Sequence, residues 1–218
     1  MSSISDFRIL LAGASGLTGQ AVLRLLLTDE RVKEVHTPLR GPPRILHPKL
    51  HPHPWQSQAP RFQHLPSIPF DAVLCCLGTT IKKAGTREAF RDIDRDAVQD
   101  LGQWTKDRGI SRFIVVSSAG ADSRSLSFYL RTKGEMEEGL QKLGIAATSI
   151  LRPGLLLGER EELRPAERLS QWLLPILGYR GMPVDTLARF MISKIFDSQT
   201  GFQIVENREI LNQDLKRS

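Results

Sequence analysis

The sequence predicts an α/β protein whose open parallel sheet is covered by helices on both faces. Three observations predict it. Apolar runs and segments of helical periodicity alternate along the chain, which is the order of β-α-β units. The apolar runs are continuous rather than alternating, which is typical of parallel strands buried on both faces. A glycine-rich turn joins the first strand to the first helix, and ligands of such sheets bind beyond the carboxyl ends of the strands.

The N-terminal part begins with a strand and a helix. FRILLAG (7–13) is an uninterrupted apolar strand, and GLTGQAVLRLLLTD (16–29) repeats its apolar residues at helical spacing. KEVHTPLR (33–40) is a weaker second strand. The Pro-rich stretch 41–69 excludes a helix and a central strand, so we expect a long loop with room for a short edge strand.

The doubly wound order continues after this loop. The predicted elements are a buried strand at 70–78, a long helix at 87–109 that ends at a glycine, a buried strand at 111–120, a helix within 125–144 and a strand within 147–158 that is strand-like as far as Arg152. We interpret the chain as one domain, residues 1–218.

A C-terminal segment departs from this alternation. Residues 159–187 carry Trp172 and several aliphatic residues between charged stretches. We expect a small C-terminal appendage on the substrate side, with bounds of 152–190, that walls a substrate pocket. Packing of the same segment onto the sheet is the alternative.

The composition excludes several classes of protein. The chain has 218 residues, 40% of them hydrophobic, and a net charge of +6. No apolar run approaches the roughly 20 residues that span a bilayer, and the N-terminus lacks the basic region of a signal peptide. Aromatic residues make up only 6% and the cations form no block, which argues against nucleic acid as a partner. Adjacent Cys75 and Cys76 are expected to be core thiols in a reducing compartment, the cytoplasm.

Histidines are concentrated in the Pro-rich loop. His47, His51 and His53 suggest a metal site by their number. No Cys, Asp or Glu accompanies them there, and their spacing does not match that of known ligand sets. We therefore expect a solvated loop and no metal.

The glycine turn has the spacing G-x-x-G-x-x-G. In this position Gly13 permits a tight turn, Gly16 lets the backbone approach a pyrophosphate, and Gly19 lets the helix pack close to the strand. The free N–H groups of the helix would then point at the phosphates. A Rossmann-like dinucleotide site is the prediction, and a glycine turn without ligand is the alternative. The predicted cofactor-binding residues of this turn are Gly13, Ala14, Ser15, Gly16, Leu17, Thr18 and Gly19.

The end of the second strand indicates which cofactor binds. An NAD site places Asp or Glu there, whereas this chain has Pro38, Leu39 and Arg40, with Arg44 shortly after. A guanidinium can bind a 2′-phosphate that a carboxylate would repel. The sequence therefore favours NADP(H), unless Arg40 is only a surface residue.

Two further strands end in small and hydroxyl residues. We expect Leu77, Gly78, Thr79 and Thr80 to lie near the ribose of the cofactor, although the threonines could instead cap the next helix. Ser117 or Ser118 would face the same crevice, unless each is a turn residue.

Tyr129 and Lys133 stand four residues apart in the helix predicted within 125–144. Residues at this spacing lie on one face, so the phenol and the ammonium are neighbours. The pair is either a reagent or an ordinary surface pair, and the position of the nicotinamide decides between the two.

Together these segments resemble the short-chain dehydrogenase/reductase superfamily. GASGLTG, CCLGTT, VVSSAGAD, YLRTK and LRPGLLLGER occur in the superfamily's order between residues 7 and 158. IDRDAV, YLRTKGEME and LRPGLLLGEREELRPAE look more closely like one branch, the Tat-interacting-protein-30 family of atypical NADPH-binding reductases. This closer resemblance fades toward the C-terminus.

The resemblance implies roles for particular residues. Tyr129 would be the general acid/base and Lys133 its partner. A serine would hold the substrate oxygen; its distance from the tyrosine points to Ser117, and the adjacent Ser118 is the alternative. Lys133, Pro153 and Gly154 would lie near the cofactor.

One position departs from the superfamily pattern, and it affects the expected function. The usual asparagine of the middle helix is not evident, and Asp94 stands in IDRDAV instead, which calls a proton relay there into question. We expect an NADPH-dependent oxidoreductase that transfers hydride to a carbonyl-type small molecule, with neither nucleic acid nor a membrane as partner. The alternative is an NADPH-sensing regulatory or scaffold protein with little turnover. A protein partner or a homodimer stays open.

Overall fold

The computed structural model of the protein describes residues 6–157 and 181–215, which alternate between strands and helices. The first elements are β1 (Phe7–Ala12), α1 (Leu17–Thr28), β2 (Val32–Leu39), β3 (Leu50–Pro54) and β4 (Ala72–Cys75). There follow α2 (Ile81–Ala84), α3 (Arg87–Arg91), one π-helical turn (Asp92–Asp96), α4 (Ala97–Asp107), β5 (Arg112–Val116), α5 (Phe128–Leu143) and β6 (Ala147–Arg152). The last are β7 (Leu156–Leu157), β8 (Met182–Pro183), α6 (Val184–Ser193), β9 (Gly201–Glu206) and α7 (Asn207–Leu215).

Seven of these strands form one parallel sheet in the order β3-β2-β1-β4-β5-β6-β9. The two short strands β7 and β8 pair separately. The strand order reverses between β1 and β4, and an open sheet has its ligand crevice at the carboxyl ends of the strands next to such a reversal. The predicted Rossmann-like fold class is confirmed.

Helices cover both faces of the sheet, as the continuous apolar strands predict. On β1, Ile9 and Leu11 pack into a core that includes residues of α1 and α6. Leu10 and Ala12 point to the other face and pack into a core that includes residues of α4 and α5. The two cores keep α1 and α5, the helices with the glycine turn and with Tyr129, on opposite faces of the sheet.

Two strands are shorter than predicted, and their missing ends form loops at the carboxyl edge. The strand expected at 70–78 ends at Cys75, and the strand expected at 111–120 ends at Val116. Residues beyond these points leave the sheet and contact the glycine turn, α5 and the end of β6. The helix expected at 87–109 is present as α3, the π-helical turn and α4 in succession.

The Pro-rich loop contains the short edge strand for which the prediction left room. Leu50–Pro54 pairs with β2 at the outer edge of the sheet. Pro52 and Pro54 are tolerated because an edge strand is paired on one side only.

The C-terminal strand β9 was not predicted, and it extends the sheet beyond β6. Helix α6 lies in the main core through Leu187, Ala188 and Met191. The expected appendage 152–190 and its residue Trp172 fall largely in 158–180, outside the described residues.

Two observations concern membrane spans and the adjacent thiols. No helix within residues 6–157 and 181–215 is long and apolar enough to cross a membrane. Cys75 is a buried free thiol, and burial raises its pKa to about 12. Cys76, also free, is half-buried.

Candidate functional site

The turn between β1 and α1 is fixed by contacts of its own backbone. Gly13 has φ +83°, and a Cβ there would lie 2.4 Å from the carbonyl of Cys76. A Cβ on Gly19 would lie 2.0 Å from the carbonyl oxygen of Gly13. Both positions therefore require glycine, because any side chain would overlap backbone atoms.

Gly16 is different, because the protein itself leaves room beside it. A Cβ on Gly16 would meet its nearest atom, the Gly13 oxygen, at 3.4 Å, which is ordinary contact. Gly16 is the N-cap of α1 and supplies no side-chain cap, so the first N–H groups of α1 stay available for an anion. The turn fits the diphosphate of a dinucleotide, because no side chain covers its backbone at Gly16, where the diphosphate would bind. Ala14, Ser15, Leu17 and Thr18 complete this turn.

The loop after β4 joins the glycine turn to the predicted catalytic residues. Leu77 is buried, whereas Gly78 is exposed. A Cβ on Gly78 would lie 3.4 Å from Asp94 Oδ1 and 3.9 Å from Lys133 Nζ. The loop after β4 therefore contacts Gly13 through Cys76 and lies next to the side chain of Lys133 at Gly78.

The two threonines of this loop have separate functions. Thr79 donates its backbone N–H to Asp94 Oδ2 over 2.8 Å. Thr80 is the N-cap of α2, and its hydroxyl accepts from the backbone N–H of Lys83. The capping alternative is therefore the observed role of Thr80.

Lys133 and Asp94 form a buried ion pair. Lys133 Nζ lies 2.8 Å from Asp94 Oδ1, and the side chains are 5% and 1% exposed. Burial alone would lower the pKa of Lys133, but the charge of Asp94, with a smaller contribution from Tyr129, raises it above its usual value. The ammonium is consequently charged and held in place, and Asp94 rather than an asparagine holds it.

Tyr129 stands in the first turn of α5 and is 36% exposed. Its ring packs on Phe90 of α3 with 5.8 Å between centroids. Within the described part of the chain the phenol oxygen has no hydrogen bond, so it can meet a ligand from the crevice. The structure brings Tyr129 and Lys133 together on one face of α5, as their spacing predicts.

The two serine candidates differ in burial and in hydrogen bonding. Ser117 is 5% exposed and donates its hydroxyl to Glu137 of α5. Ser118 is half-buried, and its hydroxyl donates to the carbonyl of Ala119 at 3.3 Å. The proton of Ser117 is therefore already used within the protein.

Glu137 also binds Arg152 at the end of β6. Arg152 donates to both carboxylate oxygens of Glu137 and to Glu206. The hydrogen bond to Glu137, only partly opposed by burial, raises the pKa of Arg152. This chain of charges fixes the end of β6 against α5.

Pro153 and Gly154 extend from that strand end. The Pro153 carbonyl accepts from the N–H of Ala119 at 2.9 Å. The N–H of Gly154 donates to Asn207 Oδ1 at 2.8 Å. Both predicted residues thus lie beside the serine loop, on the side of the crevice away from the glycine turn.

Arg40 lies at the opposite end of the predicted cofactor site. It is exposed directly after β2, and its guanidinium lies over the ring of Trp55, 5.8 Å from the centroid. No carboxylate occupies the end of β2, where Pro38 and Leu39 precede Arg40.

Sequence reasoning missed Glu137, Asn207 and the pairing of Asp94 with Lys133. Glu137 could have been found, because it follows Lys133 by four residues and shares the helix face of Tyr129. Asn207 follows the unpredicted strand β9 and gave no signal.

The parallel sheet, the reversal of strand order and the glycine turn define a dinucleotide-binding α/β protein of the Rossmann type. The chain belongs to the NAD(P)H-binding family whose model matches residues 13–197.

Curated relatives agree with the resemblance drawn from the motifs. Protein fmp52, mitochondrial, of Emericella nidulans is 34% identical over 180 residues, which is 78% of this chain and 76% of the relative. Protein HTATIP2 of Rattus norvegicus, which is Tat-interacting protein 30, is 37% identical over 161 residues. That match covers 71% of this chain and 64% of the rat protein, less than two thirds of its length.

Solved structures share the fold at low sequence identity. The Bordetella bronchiseptica enzyme WbmH in complex with NAD⁺ matches with a TM-score of 0.72 at 18% identity, over 90% of this chain and 74% of that one. The reductase domain of PhqB from Penicillium fellutanum matches with a TM-score of 0.71 at 18% identity, over 92% of this chain and 66% of that one. The described sheet is therefore shared with NAD-binding enzymes.

Proposed function

We propose that the protein is an NADPH-dependent reductase of a carbonyl-type small molecule. One observation carries the proposal: the loop after β4 contacts the glycine turn at one end and covers Lys133 at the other. A dinucleotide whose diphosphate lies on the glycine turn would follow this loop toward Tyr129. The family membership supports the cofactor class, and the geometry supports the role of the tyrosine.

Each side chain at this corner would have a distinct task. Bound NADPH supplies the hydride. Tyr129 would protonate the substrate oxygen, and the charge of Lys133 would favour the phenolate that remains. Ser118 would orient the carbonyl, because Ser117 is buried and donates its hydroxyl proton to a charged carboxylate, whereas the half-buried Ser118 donates only to the Ala119 carbonyl at 3.3 Å. Asp94 would hold the lysine in place.

The preference for NADP(H) over NAD(H) rests on Arg40. Its guanidinium lies over Trp55, which limits its freedom, and it is exposed where a 2′-phosphate would meet the end of β2. A fork of N–H donors fits a phosphate well.

Three arginines around the ring of Phe128 suggest that the substrate is an anion. Arg87, Arg91 and Arg131 lie 5.1, 5.2 and 6.0 Å from the ring centroid of Phe128, the residue before Tyr129. Within the described residues no carboxylate is in ion-pair distance of any of them, and Nε of Arg91 is buried without a hydrogen-bond partner. Arg131 donates to the carbonyl of Ser125 at 2.9 Å, which leaves its charge without a carboxylate. A carboxylate or phosphate group of the substrate would offset this positive charge.

Purification and assay test the activity directly. We expect nucleotide extracted from the protein to be NADP(H), and NADPH to be oxidised by members of a panel of carbonyl compounds. Tyr129→Phe should abolish hydride transfer while leaving the Kd for NADPH within a few-fold. Unchanged turnover in Tyr129→Phe would exclude the acid/base role.

A matched substrate pair tests the substrate charge. We expect para-formylbenzoate to be reduced with a higher kcat/KM than the neutral para-formylbenzamide, and Arg91→Gln to remove most of the difference. Arg24→Gln, which alters an exposed arginine of α1, is the matched control. Equal rates for both aldehydes would exclude an anionic substrate without excluding the reductase.

The buried pair of Asp94 and Lys133 favours one further candidate, an NADPH sensor or scaffold with little turnover. The carboxylate offsets the lysine charge that would otherwise act on Tyr129. Such a protein would bind NADPH tightly, reduce no carbonyl compound, and bind a protein partner or a second copy in a nucleotide-dependent way. Asp94→Asn would then raise turnover above that of the parent protein, because it frees the lysine charge.

The cytoplasmic location is proposed on the buried thiol of Cys75. Several relatives carry the word mitochondrial in their names, so imaging of the tagged protein distinguishes the two compartments.

A further inference from the structure

Three of the five histidines, His36, His51 and His53, gather at the β2–β3 edge of the sheet, outside the candidate cofactor site. Glu34 and His36 are two residues apart on β2 and so point to the same face. His51 of β3 is the direct register partner of His36. The parallel pairing of β2 with β3 thus brings His51 of the Pro-rich loop next to residues of β2 that are distant in sequence.

The ligand atoms of this group are close to one another. His36 Nε2 lies 3.3 Å from Glu34 Oε2, and one donor atom each of Glu34, His36 and His51 lies within 4.8 Å of the others. Ligands bound to one Zn²⁺ at about 2.0–2.1 Å stand about 3.4 Å apart in a tetrahedron. The Glu34–His36 pair already has this separation. The His51 ring stacks on that of His36, with 4.7 Å between centroids and 19° between planes, so it must turn about its side-chain bonds to direct a nitrogen at the same ion.

Outer partners orient two of the three groups. His36 Nδ1 lies 2.9 Å from His53 Nε2, so the other ring nitrogen of His36 faces Glu34. Arg8 donates to the Glu34 carboxylate at 3.2 Å. Metal-binding imidazoles and carboxylates usually have such outer hydrogen bonds, which fix the tautomer and the orientation of the ligand.

The Pro-rich loop also contains buried polar atoms without a partner among the described residues. His36 is only 6% exposed. Both ring nitrogens of His64 are buried without a hydrogen-bond partner in the described part of the chain. Buried polar groups of this kind are normally satisfied by water or an ion.

We propose that Glu34, His36 and His51 bind Zn²⁺ or a similar divalent transition-metal ion that fastens edge strand β3 to β2. Two imidazoles, one carboxylate and a water molecule form a tetrahedral set that suits Zn²⁺. The proposal is independent of the proposed reductase activity, because it uses no residue of that site.

Binding conserves protons in this group. Without metal, His53 can donate Nε2–H to His36 Nδ1 while His36 donates Nε2–H to Glu34. With metal on His36 Nε2, the hydrogen bond reverses: His36 donates Nδ1–H to His53 Nε2, and His53 holds its proton on Nδ1. Each ring keeps one proton, so the tautomer shift alone releases none.

Titration of the metal-free protein tests the site. The full chain, with its affinity tag removed and treated with a chelator, is titrated with Zn²⁺ by calorimetry and with Co²⁺ by visible absorption. We expect one ion per chain, the absorption of tetrahedral Co²⁺, and a higher Tm in the presence of Zn²⁺. His51→Gln should weaken binding by about 100-fold, and His53→Gln by about 10-fold as an outer partner.

The control is His47→Gln, which alters a histidine of the same loop outside the cluster, and it should bind as the parent does. His36→Asn should also lose Zn²⁺ binding. If this substitution of a buried residue impairs folding, the His51→Gln variant, at a half-buried position, still tests the site. The absence of stoichiometric binding, or equal loss in His47→Gln, would overturn the proposal.

Discussion

The glycine turn after β1 and the corner around Tyr129 lie at the same edge of the sheet but are held in different ways. In the turn, the contacts that matter join backbone to backbone: Gly13 to Cys76 and Gly19 to Gly13. In the corner, charged side chains from distant parts of the chain pair out of contact with water, as Lys133 does with Asp94.

Because of this difference, substitutions in the glycine turn should affect cofactor binding, whereas substitutions in the corner should affect the proposed reaction. Backbone contacts set the shape of the glycine turn, so the turn excludes side chains at Gly13 and Gly19. It needs no particular side chain at its other positions to keep that shape. A corner held by a buried charge pair keeps its shape when a partner changes to an isosteric group, while the charge available to Tyr129 changes. Variants of each region should therefore fail in different ways.

The largest effect is expected for Lys133→Met, which leaves the Asp94 carboxylate buried without its cation. Removing one partner of a buried pair typically costs about 3–5 kcal/mol of unfolding free energy. Urea unfolding measures the loss. The double variant Lys133→Met/Asp94→Leu should recover most of the stability but no hydride transfer. A single variant as stable as the parent would show that the pair is not formed.

A smaller loss of stability is expected for Gly19→Ala, because its Cβ would overlap the Gly13 carbonyl. Overpacking of this kind costs about 1–3 kcal/mol, and NADPH binding should be lost with it. Gly16→Ala is the matched control: its Cβ has room, so we expect the Tm to change little while NADPH binding still weakens. Thermal unfolding and cofactor titration separate the two. Equal destabilisation in both variants would contradict the distinction.

The same contrast explains what the sequence could predict. The glycine turn was predictable because its signal is local, and so were the strands buried on both faces. The pairing of Asp94 with Lys133 was visible only as a departure from a motif, since partner choice depends on how two helices pack. Strand β9 was missed because its pairing with β6 is non-local and its exposed residues lack the continuous apolar pattern of the inner strands.

The proposed metal-ligand group shows the same limit. In the sequence, His47, His51 and His53 belong to a Pro-rich loop that contains no acidic residue. Glu34 and His36 come from β2, and only the register of β2 with β3 brings them to His51. A loop that pairs as an edge strand acquires neighbours that its own sequence does not contain.

A moderate effect is expected at the serine loop. Ser117→Ala removes the hydrogen bond to buried Glu137 and should lower the unfolding free energy by about 1–2 kcal/mol. Ser118→Ala should leave stability within about 0.5 kcal/mol and lower kcat/KM, because the half-buried hydroxyl is proposed to meet the substrate. Denaturant unfolding and steady-state kinetics on both variants check this. A loss of kcat/KM confined to Ser117→Ala would assign the substrate contact to Ser117 instead.

The smallest effect is expected at Arg40, where an exposed side chain rather than the backbone would select the cofactor. Arg40→Ala should raise the Kd for NADPH about 10-fold and leave the Kd for NADH within about twofold, since only NADPH carries the 2′-phosphate. Fluorescence titration with both nucleotides measures the ratio. Arg44→Ala, at another exposed arginine of the same loop, is the matched control and should change the ratio less. Equal weakening of NADPH and NADH binding in Arg40→Ala would show that Arg40 contacts a part common to both nucleotides. It would remove the basis for NADP(H) selectivity.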